Sequence, residues 1–302
     1  MSYNFFVVGG DKRILYLAEM LSEEGNNIKI LGFDKLFDDN EIFENKNFKK
    51  AVSINEIKKD DIIISSIPLS IDGINIYTPF SNNNFNLEIL KGRKFIAGKI
   101  PKELKENGCL DVLDNEELTM LNTIPTAEGA IAKAIEETDI TIENSNCLVL
   151  GFGRVGKILS YKLKMLNANV YAESRNEKTL AEIKAYGYFP VKLEEIEKNI
   201  CKMDVIFNTI PEKILGKNQL IYMNNKSIII DLASKPGGTD FEVAKKMKIK
   251  AILYSGIPGK VASKTSALYL KEIIKKEILW LIFTKKLQKL HFFYNTKLYI
   301  DF

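Results

Sequence analysis

The sequence predicts an α/β protein built from two doubly wound parallel-sheet domains joined by crossing helices. Three observations predict it. First, short apolar runs alternate with amphipathic stretches through both halves of the 302 residues, the pattern that builds β-α-β units and parallel sheets. Second, Cys147-Leu148-Val149-Leu150 stops at Gly151-Phe152-Gly153-Arg154-Val155-Gly156 and continues into an amphipathic stretch over 157–166. Strand, Gly-x-Gly-x-x-Gly turn and helix is the order a Rossmann dinucleotide site requires. Third, the chain is long enough for two cores, and 46% apolar with 27% charged residues is a globular composition.

The first half opens with an apolar strand over 3–8, the turn Gly9-Gly10-Asp11 and a helix with apolar residues at Ile14, Leu15, Leu17, Ala18 and Leu21. A second strand over 28–31 ends at Gly32-Phe33-Asp34. The glycine pair lacks the third glycine of the fingerprint, so it reads as a strand-to-helix turn near a ligand pocket, and a plain turn explains it equally well. Residues 34–50 are charged and poorly periodic, an exposed connection with a short helix. A buried strand over 61–68 ends in Ser65, Ser66 and Pro68, and strand ends are where open α/β sheets place ligands. A loop over 77–84, a helical turn over 87–90 and strands over 94–98 and 110–114 complete this half.

Asn122-Thr123-Ile124-Pro125-Thr126-Ala127-Glu128-Gly129-Ala130 then opens a helix that runs through Glu137. Pro125 is expected before the helix, Thr126 as its N-cap and Glu128 in its first turn, where the dipole favours a carboxylate. The domain reading is 1–122 for an N-terminal substrate-side α/β domain, 123–138 for an interdomain helix, 139–258 for the Rossmann domain and 259–302 for a C-terminal crossover helix and tail.

In the second half, Gly151 permits the tight turn, Gly153 lets the backbone approach a diphosphate and Gly156 allows close helix–strand packing, with Phe152, Arg154 and Val155 between them. A strand over 168–172 leads into Glu173-Ser174-Arg175-Asn176. Glu173 stands near the place where a carboxylate accepts from the NAD ribose. Arg175, with Ser174 and Asn176 beside it, suits a 2′-phosphate, so the sequence points to NADP with NAD left open. Helices over 178–186 and 193–200 precede a strand over 203–211, whose Asn208, Thr209 and Pro211 are candidates to line the nicotinamide. A strand from 228 ends in Asp231 and a second glycine-rich turn with Ser234 and Lys235. A helix over 241–247, a strand over 251–254 and a helix over 262–278 follow. The tail beyond Leu279 alternates aromatic and basic residues (Trp280, Phe283, Phe292, Phe293, Tyr294, Tyr299) and is expected to pack on the body or on a partner.

Composition narrows the chemistry. The net charge of +4 is spread along the chain, unlike the clustered basic footprint of a nucleic-acid binder. Cys109, Cys147 and Cys201 are far apart, and His291 is the single histidine, so neither a metal cluster nor a histidine-based triad is expected. Proton chemistry must fall to Lys, Glu, Asp, Tyr or water. No cleavable leader and no long apolar run is visible, which points to the cytoplasm and away from a membrane.

The joint order of Gly9-Gly10-Asp11, Gly32-Phe33-Asp34, the segment Ile124 to Ala130, Glu136-Glu137-Thr138-Asp139, Leu150 to Gly156, Asp231-Leu232-Ala233-Ser234-Lys235-Pro236-Gly237-Gly238-Thr239 and Pro258-Gly259-Lys260-Val261-Ala262 resembles the dipicolinate synthase A-subunit family. The sequence departs from the family's pattern at Ser263 and at Ser266 and Ala267. The resemblance implies a two-domain architecture similar to 2-hydroxyacid and alanine dehydrogenases and, as partner, a flavoprotein-like B subunit. It also implies oxidation of dihydrodipicolinate to pyridine-2,6-dicarboxylate in the mother cell of a sporulating bacterium. On that reading Arg13, Lys235 and Lys260 face an interdomain cleft and hold the two carboxylates, and Ser65, Ser66, Thr126 and Ser234 orient the substrate. Glu128 accepts the proton, with Asp231 as the alternative acceptor. The competing expectations are a non-catalytic cofactor-binding scaffold and a dehydrogenase for another small carboxylate; a homo-oligomer is compatible with all three.

Overall fold

The computed structural model describes residues 2–36, 48–105 and 108–279. The chain divides into two compact units, Met1–Thr119 with Ser263–Phe302, and Met120–Ala262. The aromatic tail from Trp280 and most of the 34–50 connection lie outside the described residues.

In the first unit, β1 (Asn4–Val8), α1 (Lys12–Glu23), β2 (Asn27–Leu31), β3 (Phe48–Lys50), β4 (Ile62–Ser65), β5 (Phe95–Ala97) and β6 (Leu110–Asp111) follow in sequence. Their strands form one parallel sheet in the order β3-β2-β1-β4-β5-β6. Because side chains alternate across a strand, Phe5 and Val7 enter one core with Ile14, Leu17 and Leu21 of α1, while Phe6 and Val8 enter another with Leu69, Ile76 and Leu90. Both faces are covered, which is why these strands read as nearly continuous apolar runs. The C-terminal helix, described over 263–279, adds Ala267, Leu270, Ile273, Ile274 and Ile278 to the α1 core.

After α2 (Glu116–Leu121), the second unit contains α3 (Thr123–Glu137), β7 (Asn146–Leu150), α4 (Arg154–Met165), β8 (Asn169–Glu173), α5 (Glu177–Ala185), β9 (Phe189–Val191) and α6 (Ile196–Ile200). It continues with β10 (Val205–Asn208), α7 (Lys217–Leu220), β11 (Ile228–Asp231), α8 (Phe241–Lys246), β12 (Lys250–Leu253) and α9 (Ile257–Val261). The sheet order β12-β11-β10-β7-β8-β9, all parallel, is the Rossmann order, and the first unit has it too. Cys147 and Val149 face α4 and α5 residues; Leu148 and Leu150 face the layer of α6 and α8.

Several local expectations are corrected. The helix expected to start after Thr126 starts at Thr123, and Thr126 is no cap: its Oγ1 donates to the Asn122 carbonyl at 2.7 Å. Pro125 is tolerated inside the first turn because the N–H it lacks would have no helical partner there. The stretch read as a strand over 110–114 pairs only at Leu110–Asp111 and then winds into a tight turn at Val112–Asp114. Gly129 has a packing reason: a Cβ there would sit 2.3 Å from Ile257 Cγ2, so the missing side chain lets α9 lie against α3.

Candidate active site

In a parallel sheet all strand exits lie on one edge, so the ends of β7, β10, β11 and β12 share that edge, with the reversal point between β7 and β10. Each glycine of the β7 turn has a distinct physical reason. Gly151 has φ +87°, and a Cβ would meet Thr209 Oγ1 at 2.6 Å. Gly156 packs so close that a Cβ would lie 2.0 Å from the Gly151 carbonyl oxygen. At Gly153 a Cβ would have nothing within 4 Å. That open space stands at the start of α4, whose N-cap is Gly153 without a side-chain cap bond and whose first turn carries Arg154 and no acid. An anion approaching the first amides would meet no side chain at Gly153 and no acid in the first turn of α4, so the residues fit a nucleotide diphosphate.

The first unit's glycine turn is different. A Cβ on Gly9 would lie 2.6 Å from Thr78 Cγ2 and 2.9 Å from the Tyr77 carbonyl, and Gly10 N–H donates to that carbonyl at 2.9 Å. The chain's own 76–78 segment fills the turn, which is why two glycines are needed there. Arg13, expected to hold a substrate carboxylate, is instead only 8% exposed. Its Nε lies 3.0 and 3.1 Å from the Asp11 oxygens, and its Nη2 donates to Asp11 at 2.7 Å and to the Ile67 carbonyl at 2.5 Å. Ser65 and Ser66 are fully buried, and their hydroxyls donate to the carbonyls of Val8 and Leu69, each at 2.8 Å. These three side chains brace the β1 and β4 exits.

At the ribose position, Glu173 is 1% exposed at the end of β8. Its Oε2 accepts from Gly151 N–H at 3.1 Å, while its Oε1 is buried and has no partner. Burial pushes its pKa up, against the Gly151 hydrogen bond and the Arg175 charge, which pull it down. The three neighbours expected to take a 2′-phosphate are engaged locally. Ser174 Oγ accepts from Asn176 N–H, Asn176 Oδ1 caps α5 through Lys178 and Thr179 N–H, and Arg175 pairs with Glu212 at 3.0 Å on the exposed surface.

Both expected proton acceptors have partners within the chain. Glu128 is exposed and pairs with Lys162 at 2.8 Å, and Lys162 lies about 12 Å along α4 from Arg154 at the usual rise per residue. Asp231 is fully buried; its carboxylate accepts from Ala233 N–H at 3.1 Å, Gly238 N–H at 2.9 Å and Thr239 Oγ1 at 2.7 Å. It ties the glycine-rich turn shut. Asn208 is likewise buried and spans its own turn, accepting from Ile210 N–H and donating to the Ile210 carbonyl. Thr209 Oγ1 donates to the Leu150 carbonyl at 2.8 Å, joining the β10 exit to the glycine turn. Pro211, Ser234, Lys235 and Lys260 remain exposed at this edge. Lys260 Nζ stands 5.1 Å from the Tyr254 ring centre, and Lys133 Nζ stands 5.9 Å from it. No sequence signal marked that aromatic platform. Among the described residues, no cluster of His, Cys, Asp and Glu could hold a metal ion, and no helix is long and apolar enough to cross a membrane.

Comparison with known proteins fits this geometry. Residues 4–108 match the dipicolinate synthase A-subunit N-terminal domain, and residues 125–288 match the alanine dehydrogenase/PNT C-terminal domain. The chain is 34% identical over 287 residues to the dipicolinate synthase A subunit of Bacillus subtilis (strain 168), covering 89% of this chain and 94% of that protein. The chain belongs to the dipicolinate synthase A-subunit family. The crystal structure of the dipicolinate synthase A subunit from Bacillus halodurans superposes with a TM-score of 0.80 at 34% identity, over 91% of this chain and 97% of that one. A more distant relative is the shikimate dehydrogenase (NADP(+)) of Pyrococcus abyssi (strain GE5 / Orsay), 25% identical over 56% of this chain and 60% of that protein. Membership of the A-subunit family, with a dehydrogenase-type second domain, supports a dehydrogenase-like role and implies a nicotinamide cofactor.

Proposed function

We propose that this chain oxidises dihydrodipicolinate to dipicolinate with a nicotinamide dinucleotide seated on the Gly151–Gly156 turn. On this reading it is the A subunit of a dipicolinate synthase that works with a flavoprotein-like B subunit in the sporulating mother cell. The observation that carries the reading is the open cradle at Gly153, beside an uncapped helix start, in a chain this similar to a dipicolinate synthase A subunit.

The substrate ring loses one hydride from carbon and one proton, and aromatisation drives the loss. When bound, the nicotinamide supplies the hydride acceptor. The protein's part is placement and charge. Main-chain amides of the first α4 turn and Arg154 meet the diphosphate, and Gly153 clears its approach. Lys235 and Lys260, exposed at the β11 and β12 exits, meet the substrate's carboxylates as point charges. With Asp231 spent on its turn and Glu128 paired along α4, the proton passes to water.

The test is nucleotide reduction by the purified chain given freshly generated dihydrodipicolinate, alone and with the B subunit. Dipicolinate appearing together with reduced nucleotide supports the proposal. Nucleotide left oxidised under both conditions sinks it. A second reading, a dehydrogenase for another small carboxylate, draws on the shikimate dehydrogenase relative; turnover of shikimate in place of dihydrodipicolinate would favour it.

A further inference from the structure

We infer that the Tyr254 ring is a positioning group for Lys260, holding its ammonium in place for a carboxylate of the substrate. The inference rests on the reading that Lys260 meets such a carboxylate, and it gives a role to the aromatic platform that no sequence signal marked.

The ring is itself well anchored. Tyr254 follows β12, its N–H donates to the Asp231 carbonyl at 2.7 Å, and its half-buried ring packs against the core that α3 shares with β7. Lys260 sits on α9, a helix of five residues that is fixed in turn by its approach to α3. At Gly129 a Cβ would lie 2.3 Å from Ile257 Cγ2 and 2.9 Å from Val261 Cγ2, so both side chains reach the α3 backbone. Ring and lysine therefore stand on elements whose spacing is set by packing, not by the contact between them.

Lys133 and Lys260 share this ring, and their other partners differ. Lys133 Nζ, 5.9 Å from the ring centre, is also paired with Glu136 at 2.9 Å and Glu137 at 2.5 Å. Lys260 Nζ, 5.1 Å from the centre, belongs to an exposed residue, and among the described residues no carboxylate pairs with it. Lys133 is thus engaged within the chain, and Lys260 is the cation still able to take an external anion. Both distances are within the range at which a ring face attracts a cation. A lysine has a long stem and many rotamers, and fixing it on a ligand costs entropy. A ring that already favours some of those rotamers reduces that cost, which is preorganisation. The ring face attracts the charge without accepting its N–H groups as a carboxylate does, so the donors stay available. A glutamate in the same place would hold the ammonium more firmly and cancel its charge.

The experiment is calorimetric titration of dipicolinate into the full chain with a saturating nicotinamide nucleotide, for wild type, Tyr254→Phe, Tyr254→Leu, Lys260→Met and the combination of Tyr254→Leu with Lys260→Met. Thermal unfolding checks each fold, and Tyr254→Met replaces Tyr254→Leu should the latter not fold. Tyr254→Leu is expected to weaken binding about two- to fivefold, the worth of an exposed cation–π contact. Tyr254→Phe is expected to bind as wild type does, because it keeps the ring face. Lys260→Met is expected to weaken binding at least about tenfold, with no further loss in the combined variant. In turnover the Tyr254→Leu effect falls on KM and leaves kcat unchanged. The inference alone is overturned by a Tyr254→Leu loss that persists beside Lys260→Met, by an equal loss in Tyr254→Phe, by a fall in kcat, or by no loss at all. Undiminished binding by Lys260→Met, or no binding by wild type, overturns the underlying reading as well.

Discussion

Gly156 and Asp231 show how much of this edge is fixed by single atoms. A methyl at residue 156 would stand 2.0 Å from the Gly151 carbonyl oxygen, a backbone atom that cannot step aside. Gly156→Ala should therefore cost about 1–3 kcal/mol of stability, read by chemical unfolding; an unchanged midpoint would contradict the packing role. Asp231→Asn replaces one of two acceptor oxygens by a donor, facing Gly238 N–H and the Thr239 hydroxyl. It should lose about 1–3 kcal/mol. Full stability with abolished turnover would instead restore Asp231 as a proton acceptor. The glycines were legible in the sequence because their spacing is tied to a backbone path. The fates of Arg13, Ser65, Ser66 and Asp231 were not, because a polar residue at a strand end looks the same whether it meets a ligand or its own backbone.

At the scale of elements, most periodic helices and buried strands were legible, along with the short turn at Leu87–Leu90, and several other short pieces were not. β3 and β9 span three residues each, with lysines or a proline in place of an apolar run, and they exist because a neighbouring strand offers an edge. α7 and α9 are similarly brief. The helix over 263–279 shows tertiary packing at work: Ile274 is 1% exposed in the α1 core. Ile274→Ala should cost about 2–5 kcal/mol, measured by urea unfolding, and a neutral outcome would mean that this helix is not part of that core. The end of α3 is tied by charge. Lys133 and Lys250 stand 2.5 and 2.8 Å from the Glu137 carboxylate and lower its pKa to about 2. A carboxyl lowered on folding contributes stability that is complete above its ordinary value of 4.5 and is lost as pH falls through about 2. The stability difference between wild type and Glu137→Gln should thus shrink steadily below about pH 4.5. A difference that stays constant down that range would contradict the assignment.

At the scale of the whole molecule, the same strand order occurs twice, yet only one of the two reversal points has room beside its glycines. The first is filled by Tyr77 and Thr78, and the second is open at Gly153. The β-α-β rhythm made two parallel sheets legible. Strand order was legible in the second unit through its glycine fingerprint, and not in the first, where it depends on which edges meet after crossovers of similar length. The open turn is the claim on which the function rests, and NADH binding by calorimetry to the full chain and to Gly153→Val tests it most directly. Gly153 has φ −82° and free space around it, so valine should fold there and occupy the diphosphate's path. The account predicts saturable NADH binding by wild type, weakened at least about tenfold in the folded variant. Binding of equal strength in both, or none in wild type, would contradict it.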